Sequence, residues 1–119
     1  MDFAVILQDL VERVPGAAGA IFADWDGEAV GQYAVALPTI EIQIVGAQWG
    51  VVWNEMQHAL GRARIGRASE LVVDGQRGSV IVRQVTPEYY VVLSLKSGVH
   101  LATALREVGR VVETLLAEM

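Results

Sequence analysis

The apolar residues of the segment 38–64 fall on two sides of one long helix. At about 100° per residue, one stripe consists of Ile42, Val45, Trp49, Val52, Met56, Leu60 and Ala63. A second stripe, which points roughly the other way, consists of Ile40, Ile44, Ala47 and Val51. A surface helix of a monomer needs only one apolar side. The pattern therefore predicts a second contact for this helix, made either inside the domain or by another chain.

Hydrophobic patterning also predicts two shorter helices and five strands. Apolar residues at helical spacing indicate a first helix over 2–14 and a last helix that begins near residue 99. Gly27 is placed to take a positive φ in the turn of a hairpin, and Gly66 is expected to end the long helix. Short apolar runs between turn residues predict strands over 18–23, 29–36, 70–73, 79–85 and 89–95.

The order of these elements is typical of an α+β domain. The runs 20–23 and 91–93 are apolar at every position, as in central strands that are covered on both faces. We therefore expect a single domain over residues 1–119 with the element order αββαβββα. Its five-stranded antiparallel sheet would carry helices on both faces.

Composition narrows the classes of function. The formal net charge of −5 disfavours a general nucleic-acid binder, because phosphate contacts need a basic surface. The chain has no cysteine, and hence no disulfide or cysteine-bound metal. No apolar run approaches the roughly 20 residues of a membrane span, and the first residues lack the basic start of a signal peptide. We expect a cytoplasmic protein.

Patterns for catalysis or ligand binding are weak. His58 and His100 are far apart, and no serine lies in a nucleophile elbow. Lys96-Ser97 lacks the upstream glycine of a Walker loop. The acidic residues of the first hairpin resemble half of a calcium loop but lack its closing glutamate; they are Asp24, Asp26 and Glu28. We expect a hairpin turn there, and no catalytic residue, cofactor or metal.

Several short motifs resemble, in their order and spacing, the Roadblock/LC7 domain. Leu7 and Leu10 lie in the first helix, and Val14-Pro15-Gly16-Ala17-Ala18-Gly19-Ala20 leads into the first strand. Asp24-Trp25-Asp26-Gly27 is similar to the family's D-x-D-G hairpin, and Ser69-Glu70-Leu71-Val72-Val73 to its third strand. An apolar fifth strand and a terminal helix extend the resemblance over nearly the whole chain.

The resemblance implies a homodimer and a protein partner. In this family the long helix pairs with its mate on one face of the sheet, and the third strand adds edge to edge. The expected dimer contact comprises Ile40, Ile44, Ala47, Val51, Leu71 and Val73. Family members, including bacterial MglB-like regulators, usually scaffold or regulate Ras-like small GTPases, or serve as dynein light chains, and have no nucleotide site of their own.

Several residues of the long helix allow two interpretations. The second apolar stripe lies either at a dimer contact or under loops of the same chain. Trp49 and Trp53 fit a core that faces the sheet, or a hot spot for a protein partner. Gly46 and Gly50, four residues apart, either permit a close backbone approach or are merely tolerated.

Candidate contacts with a different protein lie outside the apolar stripes. Trp25 is an aromatic residue at an expected turn tip, while Glu55 and His58 begin the polar half of the helix. The densest basic cluster consists of Arg62, Arg64 and Arg67. These arginines suit the negative end of the helix dipole, or else an acidic partner surface or phosphate, of which an arginine finger for a GTPase is a special case.

Three functions remain open at this point. The first is a non-catalytic homodimeric regulator that biases the switch regions of a Ras-like small GTPase toward hydrolysis. The second is an assembly module that positions signalling proteins without changing nucleotide turnover. The third is an enzyme or small-ligand sensor of a profilin-like or PAS-like layout, which would need an apolar pocket between helix and sheet.

Overall fold

The computed structural model describes residues 2–119, apart from the side chain of Thr39. The predicted α+β order is confirmed, and element ends differ from the predicted ones by at most two residues. The elements are α1 (Phe3–Arg13), β1 (Ala17–Asp24), β2 (Ala29–Ala34), α2 (Thr39–Arg62), β3 (Glu70–Asp74), β4 (Gly78–Thr86), β5 (Tyr89–Lys96) and α3 (Leu101–Ala117). Among the described residues, no helix is long and apolar enough to cross a membrane.

All five strands form one antiparallel sheet in the order β2-β1-β5-β4-β3. Successive residues of a strand point to opposite faces. In β1, Ala20 and Phe22 therefore pack with α1 and α3, whereas Ile21 and Ala23 pack on the side of α2. The runs 20–23 of β1 and 91–93 of β5 are apolar at every position because both faces of the sheet are covered there. Strands β2 and β3 form its two edges.

Two glycines bring α2 close to the sheet. A Cβ atom at Gly46 would lie 2.8 Å from Cγ2 of Ile21, and one at Gly50 would lie 2.8 Å from the hydroxyl oxygen of Tyr90. That hydroxyl donates a 2.7 Å hydrogen bond to the main-chain carbonyl of Gly46. Burial raises the pKa of Tyr90 to about 12, and the negative charge of Asp24 adds to the shift. These glycines serve a close backbone approach, and the surface approached is the chain's own sheet.

The buried face of α2 is displaced from the predicted stripe. Ile42 and Trp53 are fully buried, whereas Val52 is 42% exposed. Val52 and Ala63, which the pattern places on the first apolar stripe with Ile42, are both exposed, so their place on the buried side of the helix is wrong. The buried centre moves because polar and side-chain-free positions, which a count of apolar residues ignores, are buried as well; they are Gly46, Gly50 and Gln57.

Trp25 lies in the hairpin turn, and its ring packs against the core between α2 and the sheet, here called the α2-side core. Its ring stacks on Tyr90 with a centroid distance of 4.3 Å and on Trp53 with one of 5.4 Å. The indole N–H donates a 2.7 Å hydrogen bond to the carbonyl of Pro87. The expectation of an aromatic standing out at an exposed turn tip is therefore wrong, since the half-buried ring stacks on two aromatic rings of the same chain.

The acidic hairpin turn is held by its own first residue. The carboxylate of Asp24 accepts the main-chain N–H groups of Asp26 and Glu28, each at 3.0 Å. Gly27 has a φ of 84°, as expected for this turn. The Asp24 carboxylate thus acts as a local turn acceptor.

The end of α2 differs from the prediction in one respect. The N–H of Ile65 bonds the carbonyl of Leu60 at 3.0 Å, and the N–H of Arg64 bonds that of Gly61 at 3.1 Å. These are the two hydrogen bonds of a Schellman motif. The residue in the left-handed position is Arg64, with a φ of 59°. Gly66 lies beyond it in the loop, so the prediction that this glycine ends the helix is wrong.

Candidate interaction surface

An apolar face of α2 points to solvent. Ile40 is 61% exposed, Ile44 50% and Val51 60%, and Ala47 is exposed between them. These four residues recur along one side of the helix, on successive turns. The alternative that loops of the same chain cover this stripe is contradicted by the described residues. Contiguous exposed apolar side chains of this kind mark interaction sites.

The edge strand β3 presents free backbone groups beside this helix. The N–H of Gln84 bonds the carbonyl of Ser69 at 3.0 Å, so these two residues form a hydrogen-bonded pair. Because such pairs alternate along an antiparallel ladder, Leu71 and Val73 direct their backbone groups at β4. The groups of Glu70, Val72 and Asp74 point away from the sheet, where another strand could pair with them.

The two side chains predicted for a β3 contact have different surroundings. Leu71 is half-buried and packs with the chain's own α2-side core, whereas Val73 is 37% exposed. Val73 lines a groove of about 270 Å³ between α2 and the sheet, together with Val45, Trp49 and Arg77. The groove lies between the sheet-facing side of α2 and the β3 edge. Trp49 is therefore neither fully buried in the core nor freely exposed.

The polar half of α2 ends in a basic loop. Glu55, His58 and Arg62 are exposed, as are Arg64 and Arg67. None of the three arginines forms an ion pair with a carboxylate among residues 2–119. Elsewhere Arg110 bonds both Glu107 and Asp9, at 2.7 and 2.8 Å. Trp25 lies in the hairpin turn at another place in the fold, so the structure does not bring all candidate partner contacts together.

Possible sites for a small ligand or a metal ion are the space between α2 and the sheet, the surface cavities and groups of His, Asp and Glu side chains. Trp53 and Tyr90, both fully buried, fill part of the space between α2 and the sheet with Trp25, and the groove of about 270 Å³ beside Trp49 stays open. An open cavity of about 450 Å³ lies at the start of α3, next to Lys96 and His100. Within the described part of the chain, no three His, Asp or Glu side chains are grouped as metal ligands would be.

Comparison with known proteins identifies the fold. No model of a protein family matches the chain, and no curated protein matches its sequence. A Roadblock/LC7 domain from Streptomyces avermitilis has a TM-score of 0.87 at 17% identity, over 97% of this chain and 95% of that one. The gliding protein MglB from Thermus thermophilus gives 0.86 at 17%, over 98% and 87%. MglC from Myxococcus xanthus gives 0.72 at 20%, over all of both chains. The chain thus has the Roadblock/LC7 fold.

Proposed function

We propose that this chain with the Roadblock/LC7 fold is a homodimeric, non-catalytic regulator or scaffold of a Ras-like small GTPase. The exposed apolar stripe of α2, formed by Ile40, Ile44, Ala47 and Val51, is the observation that carries the proposal. The fold likeness to MglB supports the choice of partner, since MglB-like members of the Roadblock/LC7 family regulate small GTPases. Such a role places the protein in the cytoplasm.

In the proposed dimer, the α2 stripe and the β3 edge act together. A two-fold contact brings the same surface of both copies together, so each stripe buries the other. The outward backbone groups of Glu70 and Val72 then pair with those of the second β3, and Val73 closes the contact beside the groove. Leu71 supports this edge from within its own core.

The dimer is tested by placing a charge in the stripe. Ile44→Glu and Val51→Glu each introduce two unpaired carboxylates into a two-fold contact. Burying an unpaired charge costs about 3–5 kcal/mol, so we expect both variants to sediment as monomers where the wild type is a dimer. Ala59→Glu is the matched control, because Ala59 is exposed on the same helix but off the stripe. A wild type that is monomeric at micromolar concentration would refute the proposal, and unchanged dimers of both variants would refute this contact.

The regulatory role is tested separately, by single-turnover GTP hydrolysis. Each small GTPase of the same genome is assayed with the wild type and with the monomeric Ile44→Glu variant. We expect a faster rate with one GTPase, through stabilisation of its hydrolysis-competent switch conformation. A stable complex with an unchanged rate would support the assembly module instead. Absence of both binding and a rate change with every GTPase would refute the GTPase proposal and leave the dimer result standing.

A further inference from the structure

We propose that the end of α2 and the segment joining it to β3 form a preformed basic knob that docks on an acidic protein surface containing an apolar pocket. The basic knob consists of Arg62, Arg64, Ile65 and Arg67. It lies beyond the apolar stripe of α2, and the proposal does not depend on the partner being a GTPase. It deepens the assignment of a protein partner by stating the chemistry of the surface that this partner presents.

The composition of the basic knob points to an acidic partner. Ile65 is 73% exposed, more than the other large apolar side chains of the described chain. The three arginines of the knob lie close together in the sequence, are exposed and form no ion pair within residues 2–119. The other three basic residues without an ion pair there lie apart from one another; they are Arg77, Lys96 and Arg106. Without the knob, the fourteen acidic and six remaining basic residues leave a charge of −8. Positive charge is therefore concentrated around one apolar side chain.

Hydrogen bonds fix both ends of the loop that carries the knob. The side chain of Gln57, only 7% exposed, donates a 2.7 Å hydrogen bond to the carbonyl of Ala68 and accepts its N–H at 2.9 Å. The Schellman motif fixes the other end of the loop through Ile65. A rigid loop loses little conformational freedom when it binds. The arrangement is therefore suited to docking without prior folding of the loop.

Arg64 gives independent support for a use of this loop. A side chain in the left-handed region is strained, and glycine is the usual residue at this position of the motif. Strained backbone conformations cluster at functional sites. An arginine at a φ of 59° therefore supports a role for this side chain on the surface.

A protein fits this knob better than an anionic membrane. A bilayer extends beyond the knob and would meet the acidic remainder of the chain, which repels it. A protein can restrict its carboxylates to the rim of a pocket that receives Ile65. The planar guanidinium groups of Arg62 and Arg67 match such carboxylates in bidentate pairs.

The probe is a synthetic amphipathic helical peptide whose leucine face is flanked by glutamates. Its binding to the isotope-labelled full chain is followed by NMR. We expect saturable shifts at the Ile65 methyl group and at Arg62 and Arg67. Ile65→Ser and Arg64→Gly should each weaken the affinity at least tenfold. Val35→Ser and Arg106→Ala, which alter an exposed apolar and an exposed basic residue elsewhere, should leave it within twofold.

Arg64→Gly distinguishes a loss of binding from a loss of stability, because the two are expected to change in opposite directions. Because glycine relieves the left-handed strain, we expect its Tm to rise by about 4 °C while its affinity for the peptide falls. Unchanged affinity in this variant would overturn the proposal. So would equal binding of a peptide with lysines in place of the glutamates, shifts confined to the α2 stripe, or tighter binding to phosphatidylglycerol vesicles than to the acidic peptide. The dimer and GTPase assays do not enter this test, so its failure is distinguishable from theirs.

Discussion

The close approach of Gly50 to Tyr90 predicts that Gly50→Ala lowers the stability of the wild type but not that of the Tyr90→Phe variant. Gly50→Ala places a methyl group 2.8 Å from the Tyr90 hydroxyl oxygen, too close for any real contact. The hydroxyl cannot move aside freely, because it is fully buried and bonded to the carbonyl of Gly46. In Tyr90→Phe, the nearest ring atom to that methyl group is Cζ, at an ordinary 3.4 Å.

The magnitudes follow from opposing terms. Alanine in a helix interior is favoured over glycine by about 0.5–1 kcal/mol, while overpacking in a core costs about 1–3 kcal/mol. Gly50→Ala should therefore destabilise the wild type by about 1–2 kcal/mol. Tyr90→Phe alone should cost about 1 kcal/mol through its lost hydrogen bond. In the Tyr90→Phe background the overlap is gone, and Gly50→Ala should be neutral or stabilising.

The assay is urea unfolding of the four chains at one protein concentration, since any self-association shifts the apparent stability. The double-mutant cycle should give a coupling of about 1–3 kcal/mol. Gly61→Ala is the control, because a Cβ there meets nothing within 4 Å, and it should stabilise by up to about 1 kcal/mol. Equal destabilisation by Gly50→Ala in both backgrounds would refute the proposed approach of helix and sheet.

Further expectations concern pH, the sheet edge and the loop. The Tyr90 pKa of about 12 lies above the usual value of 10, so the unfolded chain loses this proton at a lower pH than the folded chain. The free energy of unfolding should therefore fall between pH 10 and 12, by up to about 2–3 kcal/mol. Tyr90→Phe should remove that fall, and an identical pH profile of the variant and the wild type would contradict this expectation. Val72→Pro should abolish dimer sedimentation while sparing the β3–β4 ladder, whereas Leu71→Pro should unfold β3, as hydrogen exchange would report. Gln57→Ala should cost about 1–3 kcal/mol and speed exchange of the Ala68 amide, because two buried hydrogen bonds are lost; unchanged exchange there would contradict the clamp.

Periodicity predicted the elements and both sides of α2 because burial follows the period of each backbone. Ile42 proved fully buried and Ile40 exposed, as their places on the helix require. The periodicity of apolar residues wrongly placed Val52 on the buried side, since it gives no weight to Gly46 and Gly50, which allow the sheet to approach. A glycine reports its packing role only through its neighbours, and Ile21 and Tyr90 are distant in sequence.

The candidate surface was only partly predictable. The exposed stripe followed from the pattern, but Trp25 looked solvent-exposed because its local turn contains charged residues. Its three partners come from α2, β5 and the turn before β5, and their convergence is a tertiary property. Ile65 gave no signal in the sequence. It follows Arg64, whose left-handed conformation is one that residue type alone disfavours.

The two edge strands of the sheet, β2 and β3, could pair with other copies and lead to open-ended assembly. A two-fold contact through β3 closes on itself, because both copies use the same edge. Pairing of β3 with the β2 edge of another copy would leave free edges and continue without limit. A charge such as Ile44→Glu removes the helix contact but leaves the β3 edge open. We therefore expect monomeric variants altered only on α2 to form fibrous aggregates on concentration, and the added substitution Val72→Pro to keep them in solution.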